Sequence, residues 1–176
     1  MKIIVIGNTC SGKTQFLRLV TGLSYDPATG GTIGVDYFIR VIGSHKLRSW
    51  DTTGPKAFHH IVHSYYRDCD VFVAPSRYES FGLILLEAMR YGKACVGSAI
   101  GGMQEVIRDG HDGILVTPGD SADLYNKISS LVRNVELRRH LGSAARQSFV
   151  EKFTESTMCR AALEMYRSIS AKNRPA

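Results

Sequence analysis

A three-layer α/β fold is expected for this chain, a doubly wound sheet that is mostly parallel and carries one antiparallel hairpin strand. Three features of the 176-residue sequence predict it. Short apolar runs of strand length alternate with segments of helical period, the pattern of a sheet covered by helices on both faces. A glycine-rich turn, Gly7 to Gly12, joins the first apolar run directly to the first helical segment. The alternating segments Val35 to Ile42 and Lys46 to Asp51 are parted only by Gly43-Ser44-His45, enough for a hairpin and far too short for a parallel crossover. The expected strand order is 2-3-1-4-5-6.

The elements follow in order. Residues 2–7, with Ile3-Ile4-Val5-Ile6, form a buried strand, and residues 13–23 a helix whose Phe16, Leu17, Leu19, Val20 and Leu23 face the sheet. After the hairpin comes a short helix over 57–67, then a buried strand from Val71 to Pro75. Residues 80–91 are apolar nearly all round and predict a deeply packed helix. Strands at Ala94 to Gly97 and Gly113 to Val116 flank a helix at 102–108. Helices at 121–133, 135–151 and 155–170 finish the chain, with stripes Leu124, Ile128, Leu131; Leu137, Leu141; and Ala161, Met165, Ile169. Thr154 is placed to cap the last one. The sequence shows no internal repeat, low-complexity stretch or linker, so residues 1–176 read as a single α/β domain.

Composition narrows the function classes. Apolar and charged fractions are ordinary for a folded domain. The net charge of +6 suits an anionic ligand. Yet Arg138-Arg139-His140 and Arg146 lie in helical stretches whose apolar positions point elsewhere, a solvated face, and no nucleic-acid-binding module accompanies them. No nucleic-acid partner is expected. Cys10, Cys69, Cys95 and Cys159 lack zinc-like spacing and read as reduced thiols of a cytoplasmic (or recombinant) protein. Met1-Lys2 before five apolar residues is no signal peptide, and no run approaches membrane-spanning length, so no membrane partner is expected. His59, His60 and His63 have helical spacing without a matching acidic set and read as surface histidines.

The run Gly7-Asn8-Thr9-Cys10-Ser11-Gly12-Lys13-Thr14 satisfies the phosphate-loop pattern G-x-x-x-x-G-K-[ST] between a strand and a helix. Its glycines let successive N–H groups point into one concavity for phosphate oxygens, which assigns nucleotide contacts to Gly7, Cys10, Ser11 and Gly12. Lys13 reaches the outer phosphates and the Thr14 hydroxyl ligates Mg²⁺. A glycine-rich turn without a ligand is the plainer reading.

Further motifs carry two resemblances. Thr32-Ile33-Gly34-Val35-Asp36-Tyr37-Phe38, Leu47-Arg48-Ser49-Trp50-Asp51-Thr52-Thr53-Gly54, Phe58-His59-His60-Ile61 and Ser64-Tyr65-Tyr66-Arg67 resemble the Rab-type small GTPases, over residues 1–69. That resemblance implies Thr32 and Asp51 as further metal residues and the Gly54 N–H on the terminal phosphate. For Asp51 a strand-end turn residue is the alternative. Pro55 stands where the family carries the glutamine that orients water, and it has no side-chain amide to do so.

From Asp70 to about Ile169 the chain resembles the donor-binding half of retaining GT-B glycosyltransferases of the glycogen-synthase-like group. The residues that carry this are Asp70-Val71-Phe72-Val73-Ala74-Pro75-Ser76, Tyr78-Glu79-Ser80-Phe81-Gly82-Leu83-Ile84-Leu85-Leu86-Glu87-Ala88-Met89, Gly101-Gly102-Met103-Gln104-Glu105-Val106-Ile107, Asp112-Gly113-Ile114-Leu115-Val116 and Pro118-Gly119-Asp120. By this resemblance Glu79 contacts the transferred sugar, Glu87 contacts the ribose hydroxyls, and the backbone of Phe81, Gly82 and Leu83 opens a helix toward the donor diphosphate. A surface carboxylate on a helix face is the alternative for Glu79 and for Glu87.

Both resemblances imply Rossmann-like or P-loop-like sheets, which splice at a helix-to-strand boundary near Tyr66 to Val71. The expected organisation is a P-loop GTPase-derived half over 1–69 and a glycosyltransferase-derived half over 70–176, an engineered or designed chimera with natural fusion as the alternative. Neither half is complete. No Asn-Lys-x-Asp guanine reader follows the fifth strand, where Gly97-Ser98-Ala99-Ile100-Gly101-Gly102 stands. The second half lacks the family's early strands and acceptor-binding domain. The leading expectation is a phosphate loop that binds nucleoside phosphates, with Mg²⁺ or with no cofactor, and no efficient catalysis. The alternatives are a sugar-nucleotide (UDP- or ADP-sugar) half-domain and a scaffold without ligand. A monomer, or a weak dimer through the terminal helix, is expected.

Overall fold

A computed structural model of the chain describes residues 1–6, 13–20, 23, 24, 26, 28, 35–42, 45–52 and 66–172. Six strands are seen among them: β1 Lys2–Val5, β2 Val35–Ile42, β3 His45–Thr52, β4 Val71–Ala74, β5 Ala94–Ser98 and β6 Ile114–Val116. They form one sheet in the order β2-β3-β1-β4-β5-β6, the order expected. The β2–β3 pair is antiparallel, with Val35 opposite Thr52 and Ile42 opposite His45. Every other pair is parallel: Ile4 of β1 lies between Trp50 of β3 and Phe72 of β4, and β4, β5 and β6 continue in step.

The helices are α1 Lys13–Val20, α2 Leu83–Arg90, α3 Met103–Val106, α4 Ser121–Arg133, α5 Val135–Lys152 and α6 Glu155–Lys172. Of the helix expected over 57–67, Tyr66 and Arg67 fall within the described residues, and Tyr66 to Asp68 are helical. Alternation along the strands divides the core into two layers. Ile3, Val5, Val71, Val73 and Val96 pack with Leu17 of α1 and with Leu124, Ile128 and Leu131 of α4. On the other face Ile4, Ile6, Phe72, Ala74 and Cys95 pack with Tyr66, with Leu85 and Met89 of α2, and with Met103 and Val106 of α3. The three-layer doubly wound sheet is therefore present.

Helix α5 joins the two layers. Leu137 and Leu141 belong to the first, Ala145, Phe149 and Phe153 to the second. Its midpoint passes against the backbone leading into β5, where a Cβ on Gly142 would lie 2.3 Å from the Gly92 carbonyl oxygen. Arg146 Nη1 donates to the Arg90 carbonyl (2.7 Å) on the same side. The turn before β6 is tied to α5 by buried Asp112. Its Oδ1 accepts from the Arg108 amide (2.7 Å), and its Oδ2 accepts from Arg108 Nε (3.1 Å) and Ser148 Oγ (2.7 Å). Side-chain caps start the last three helices: Asp120 accepts from Ala122 N and Asp123 N, Asn134 from Leu137 N, and Thr154 from Thr157 N, as expected of Thr154.

Three expectations are corrected. Leu23 is exposed, because α1 ends at Val20 and the chain has left the sheet face by then. Helix α2 is not buried all round: Leu85, Leu86, Ala88 and Met89 are, but Leu83 is 64 % exposed in its first turn. The stripe Ala161, Met165, Ile169 of α6 faces no core, and all three are exposed. No described helix is long and apolar enough to cross a membrane.

The described cysteines are free thiols, Cys69 and Cys95 buried and Cys159 exposed. Burial pushes the Cys69 thiol up to about 12, against the opposing pull of the Lys93 charge, and the Cys95 thiol well above its ordinary value. Thiolate is the reactive form. Native protein at pH 8 should therefore alkylate at Cys159 within minutes, and at Cys69 and Cys95 only on unfolding, as read by peptide-resolved mass spectrometry. Labelling of Cys69 at the Cys159 rate would show that the second core layer is open.

Candidate functional site

Ligands of open α/β sheets sit beyond the carboxyl ends of the strands. Here β1 and β4 are parallel neighbours, and the Ile6 amide donates to the Val73 carbonyl (2.9 Å), so the chain leaves both strands side by side at one edge. Lys13 re-enters the described structure as the first residue of α1 and is 6 % exposed; Thr14 beside it is half-buried. Asp51 is paired with Val5 of β1 and Asp36 of β2, at the same carboxyl edge and inside β3 rather than in a turn after it. Gly7, Cys10, Ser11, Gly12, Thr32, Gly54 and Pro55 lie outside the described residues, as do His59, His60 and His63. Among the described residues no group of three or more His, Cys, Asp or Glu could hold a metal ion.

On the β4 side the chain runs from Ala74 through Pro75 to a tight turn before α2. Glu79 organises this turn. Its Oε1 accepts from the Ser80 amide (3.1 Å) and the Gly82 amide (3.2 Å). Two expectations change as a result. Glu79 does not stand within a helix, and one of its oxygens is turned back on its own loop. The Gly82 N–H, expected to face a diphosphate, is already taken. Gly82 itself is the N-cap of α2 at φ +90°, a conformation open to glycine, and no side chain caps the helix. No side chain caps the first-turn amides of α2, of which Leu85 N donates to the Gly82 carbonyl (2.8 Å), and Phe81 and Leu83 are exposed beside them. Ser76 is buried between β4 and this turn, and its hydroxyl has no hydrogen-bond partner among the described residues.

Glu87 lies one turn further along α2. It is half-buried, and its Oε2 accepts from the Tyr66 phenol (2.7 Å), so it is not a freely solvated surface carboxylate. Burial first and the Glu87 charge second keep that phenol protonated far above the ordinary tyrosine range.

Gly101 and Gly102, after β5, belong to the same edge and were not among the expected site residues. The Gly102 amide donates to the Ser80 carbonyl (3.2 Å). A Cβ on Gly101 would lie 2.2 Å from the Glu79 carbonyl oxygen, and one on Gly102 would lie 2.4 Å from the Phe81 Cα. The two loops meet backbone to backbone, which only glycine permits. A Gly-Gly pair between a strand and a helix was the available signal.

The chain is similar to known proteins in sequence and in fold. The sequence model of the family described as glycosyl transferases group 1 matches residues 45–148. A second, for Ras of Complex, Roc, the domain of DAPkinase, matches residues 2–82. The two overlap across 45–82, on both sides of the expected junction at 69 and 70. An uncharacterized glycosyltransferase of Methanocaldococcus jannaschii is 33 % identical over 149 residues, covering 77 % of this chain and 42 % of the relative. That is more of this chain than lies beyond residue 69. The chain spans less than half the length of the curated relatives it matches. Among solved structures, HepE of Anabaena in complex with UDP and glucose superposes with a TM-score of 0.69 at 20 % identity, over 95 % of this chain and 48 % of that one. The C-terminal domain of a glycosyl transferase group 1 family protein from Francisella tularensis superposes with a TM-score of 0.63 at 23 % identity, covering 88 % of this chain and 86 % of that domain. These structures share the fold. Because the group 1 model spans more than half of its residues, this chain belongs to the glycosyl transferase group 1 family.

Proposed function

We propose that this chain is a sugar-nucleotide-binding domain of the group 1 type, taking a UDP- or ADP-sugar at the carboxyl edge of β1, β4 and β5. The observation that carries this is the Glu79–Gly82 turn. It is locked onto Gly101-Gly102 and presents the side-chain-uncapped start of α2 at the strand edge, with Glu87 one turn behind. In this reading the first-turn amides of α2, at Leu83 and next to Phe81 and Gly82, receive the diphosphate. Glu79 Oε2 accepts from the hexose and Glu87 from the ribose hydroxyls. Lys13, opening α1 behind the neighbouring strand, supplies the positive charge. The group 1 match supports it, as does a fold shared with a protein solved with UDP and glucose. Transfer to an acceptor belongs to the longer relatives as wholes, and for this chain alone negligible turnover is proposed.

Calorimetric titration of the full chain with UDP-glucose, ADP-glucose, GTP and pyrophosphate, each with and without Mg²⁺, tests this. A UDP- or ADP-sugar should bind at least tenfold tighter than pyrophosphate, and Glu87→Gln should weaken it about five- to tenfold, the loss of a charge-assisted acceptor. Binding of GTP alone, lost in Lys13→Ala, would overturn it in favour of the second reading.

That second reading is a phosphate loop for nucleoside triphosphates, with Gly7, Cys10, Ser11, Gly12, Lys13 and Gly54 on the nucleotide and Mg²⁺ near Thr14, Thr32 and Asp51. It is favoured by the β1–β3 register, which puts Asp51 beside the strand that leads to Lys13, and by the Roc match. The same match supports reading the chain as a chimera of a Rab-type half, 1–69, and a glycosyltransferase half, 70–176. In this reading GTP and ATP bind within about tenfold of each other, for want of a guanine reader.

A weak dimer through α6 is also proposed. Met158, Leu163, Met165, Tyr166 and Ile169 are all more than two-fifths exposed, and such a face favours association. Light scattering should show mass rising with concentration, and Leu163→Glu should hold the chain monomeric. A constant monomer mass for the unaltered chain at millimolar concentration would dismiss the dimer.

A further inference from the structure

We propose that Tyr66 is a positioning residue for Glu87, its phenol setting the direction in which the carboxylate meets a nucleotide ribose. This deepens the sugar-nucleotide reading above and rests on it for the role of Glu87. The Tyr66 Oη donates to Glu87 Oε2 at 2.7 Å, the short range of hydrogen bonds to a charged acceptor. The partners are 21 positions apart and sit on different elements: Tyr66 lies in the helical stretch before β4, and Glu87 lies in α2.

The donor is held rigidly. Tyr66 is 1 % exposed, and its ring packs against Phe72 of β4 (centroids 5.3 Å apart) and Tyr91 at the end of α2 (6.3 Å, planes 21° apart). Its phenol remains protonated throughout the pH range in which proteins fold, so it is always a donor. Glutamate has three rotatable side-chain bonds and on a helix surface would sample many orientations. Pinned at Oε2, the carboxylate keeps Oε1 as an acceptor of defined direction. A vicinal diol presents two hydroxyls in a fixed relation, and a carboxylate accepts from both only when its plane is set correctly. Tyr66 also lies in the stretch matched by both family models.

The test compares UDP with 2′,3′-dideoxyuridine diphosphate, by titration of the full-length chain and its Tyr66→Phe, Glu87→Gln and doubly substituted forms. Tyr66→Phe should reduce the preference for UDP over the dideoxy analogue about fivefold while leaving affinity for the analogue unchanged. Glu87→Gln should reduce the preference at least as much, and adding Tyr66→Phe to it should change nothing further. A residue that only fills the core would shift melting temperature and both ligands alike. Equal weakening of the two ligands, or an unchanged preference, therefore overturns the proposal. Should Tyr66→Phe fail to fold, Glu87→Asp, which withdraws the carboxylate from the phenol, carries the same comparison, and an undiminished preference there overturns it too. If the unaltered chain binds neither nucleotide, the sugar-nucleotide reading itself falls and takes this proposal with it. If it binds UDP with a preference indifferent to Tyr66, only this proposal falls.

Discussion

Gly101→Ala should lower stability by about 2–5 kcal/mol, the largest effect expected of an added methyl group at any described glycine. Two costs combine. Gly101 sits at φ +44°, where an alanine is strained by roughly 1–2 kcal/mol. Its new Cβ would also lie 2.2 Å from the Glu79 carbonyl oxygen, a backbone atom that cannot rotate aside, and overpacking of that kind costs about 1–3 kcal/mol. The structure provides the means to separate them. Gly110 has φ +73° with nothing within 4 Å of its would-be Cβ, so Gly110→Ala reports the dihedral cost alone. Gly102 has φ −64° with its Cβ 2.4 Å from the Phe81 Cα, so Gly102→Ala reports the collision alone. Thermal melts should rank Gly101 as the worst, with a drop on the order of 5–15 °C for a chain of this size. Sugar-nucleotide binding should be lost with Gly101→Ala and Gly102→Ala but kept with Gly110→Ala, because only the first two part the loops that hold the start of α2. A Gly101→Ala melt no lower than that of Gly110→Ala would mean that the loops do not meet as described.

Asp112→Ala should cost about 2–4 kcal/mol, without altering ligand affinity in the folded protein. The carboxylate is 1 % exposed and meets three donors, so its removal leaves the Arg108 amide and the Ser148 O–H without their acceptor, though Ser148 Oγ still accepts from Arg108 Nη2 (3.2 Å). The Arg108 guanidinium is 52 % exposed and can return to water, which keeps the loss below that of a fully buried ion pair. Asp112→Asn retains an acceptor for the Arg108 amide and should lose roughly half as much, and Ser148→Ala about 1 kcal/mol. Chemical denaturation reads this series directly. An Asp112→Ala midpoint equal to that of Ser148→Ala would show that the carboxylate contributes nothing beyond the hydroxyl it holds.

The strands were legible because a short continuous apolar run, or a short alternating segment bounded by turn residues, reports extended backbone. Ile3 to Ile6, the Val35–Asp51 hairpin and Val71 to Ala74 all stand where their residue pattern puts them, and right-handed parallel crossovers leave few sheet orders open. Where periodicity failed, it failed for want of a partner. The apolar stripe of α6 has the same spacing as that of α4, yet α4 covers β6 while the α6 stripe remains in solvent. Leu23 continues the α1 pattern beyond the point at which the chain leaves the sheet.

The site divides in the same way. By itself the sequence offered candidates for phosphate and sugar, the Gly7 to Thr14 run by its pattern and the Glu79 and Glu87 pair by a family resemblance, each carried by a short local stretch. It also determined the sheet, through the period of its strands. Only the tertiary structure decided that Glu79 turns one oxygen onto its own loop, that Gly101 and Gly102 admit that loop, and that Tyr66 holds Glu87. Each of those depends on which backbones and side chains from distant segments come within hydrogen-bond reach. That distance is set by packing two core layers against one sheet, and no local spacing in the chain encodes it.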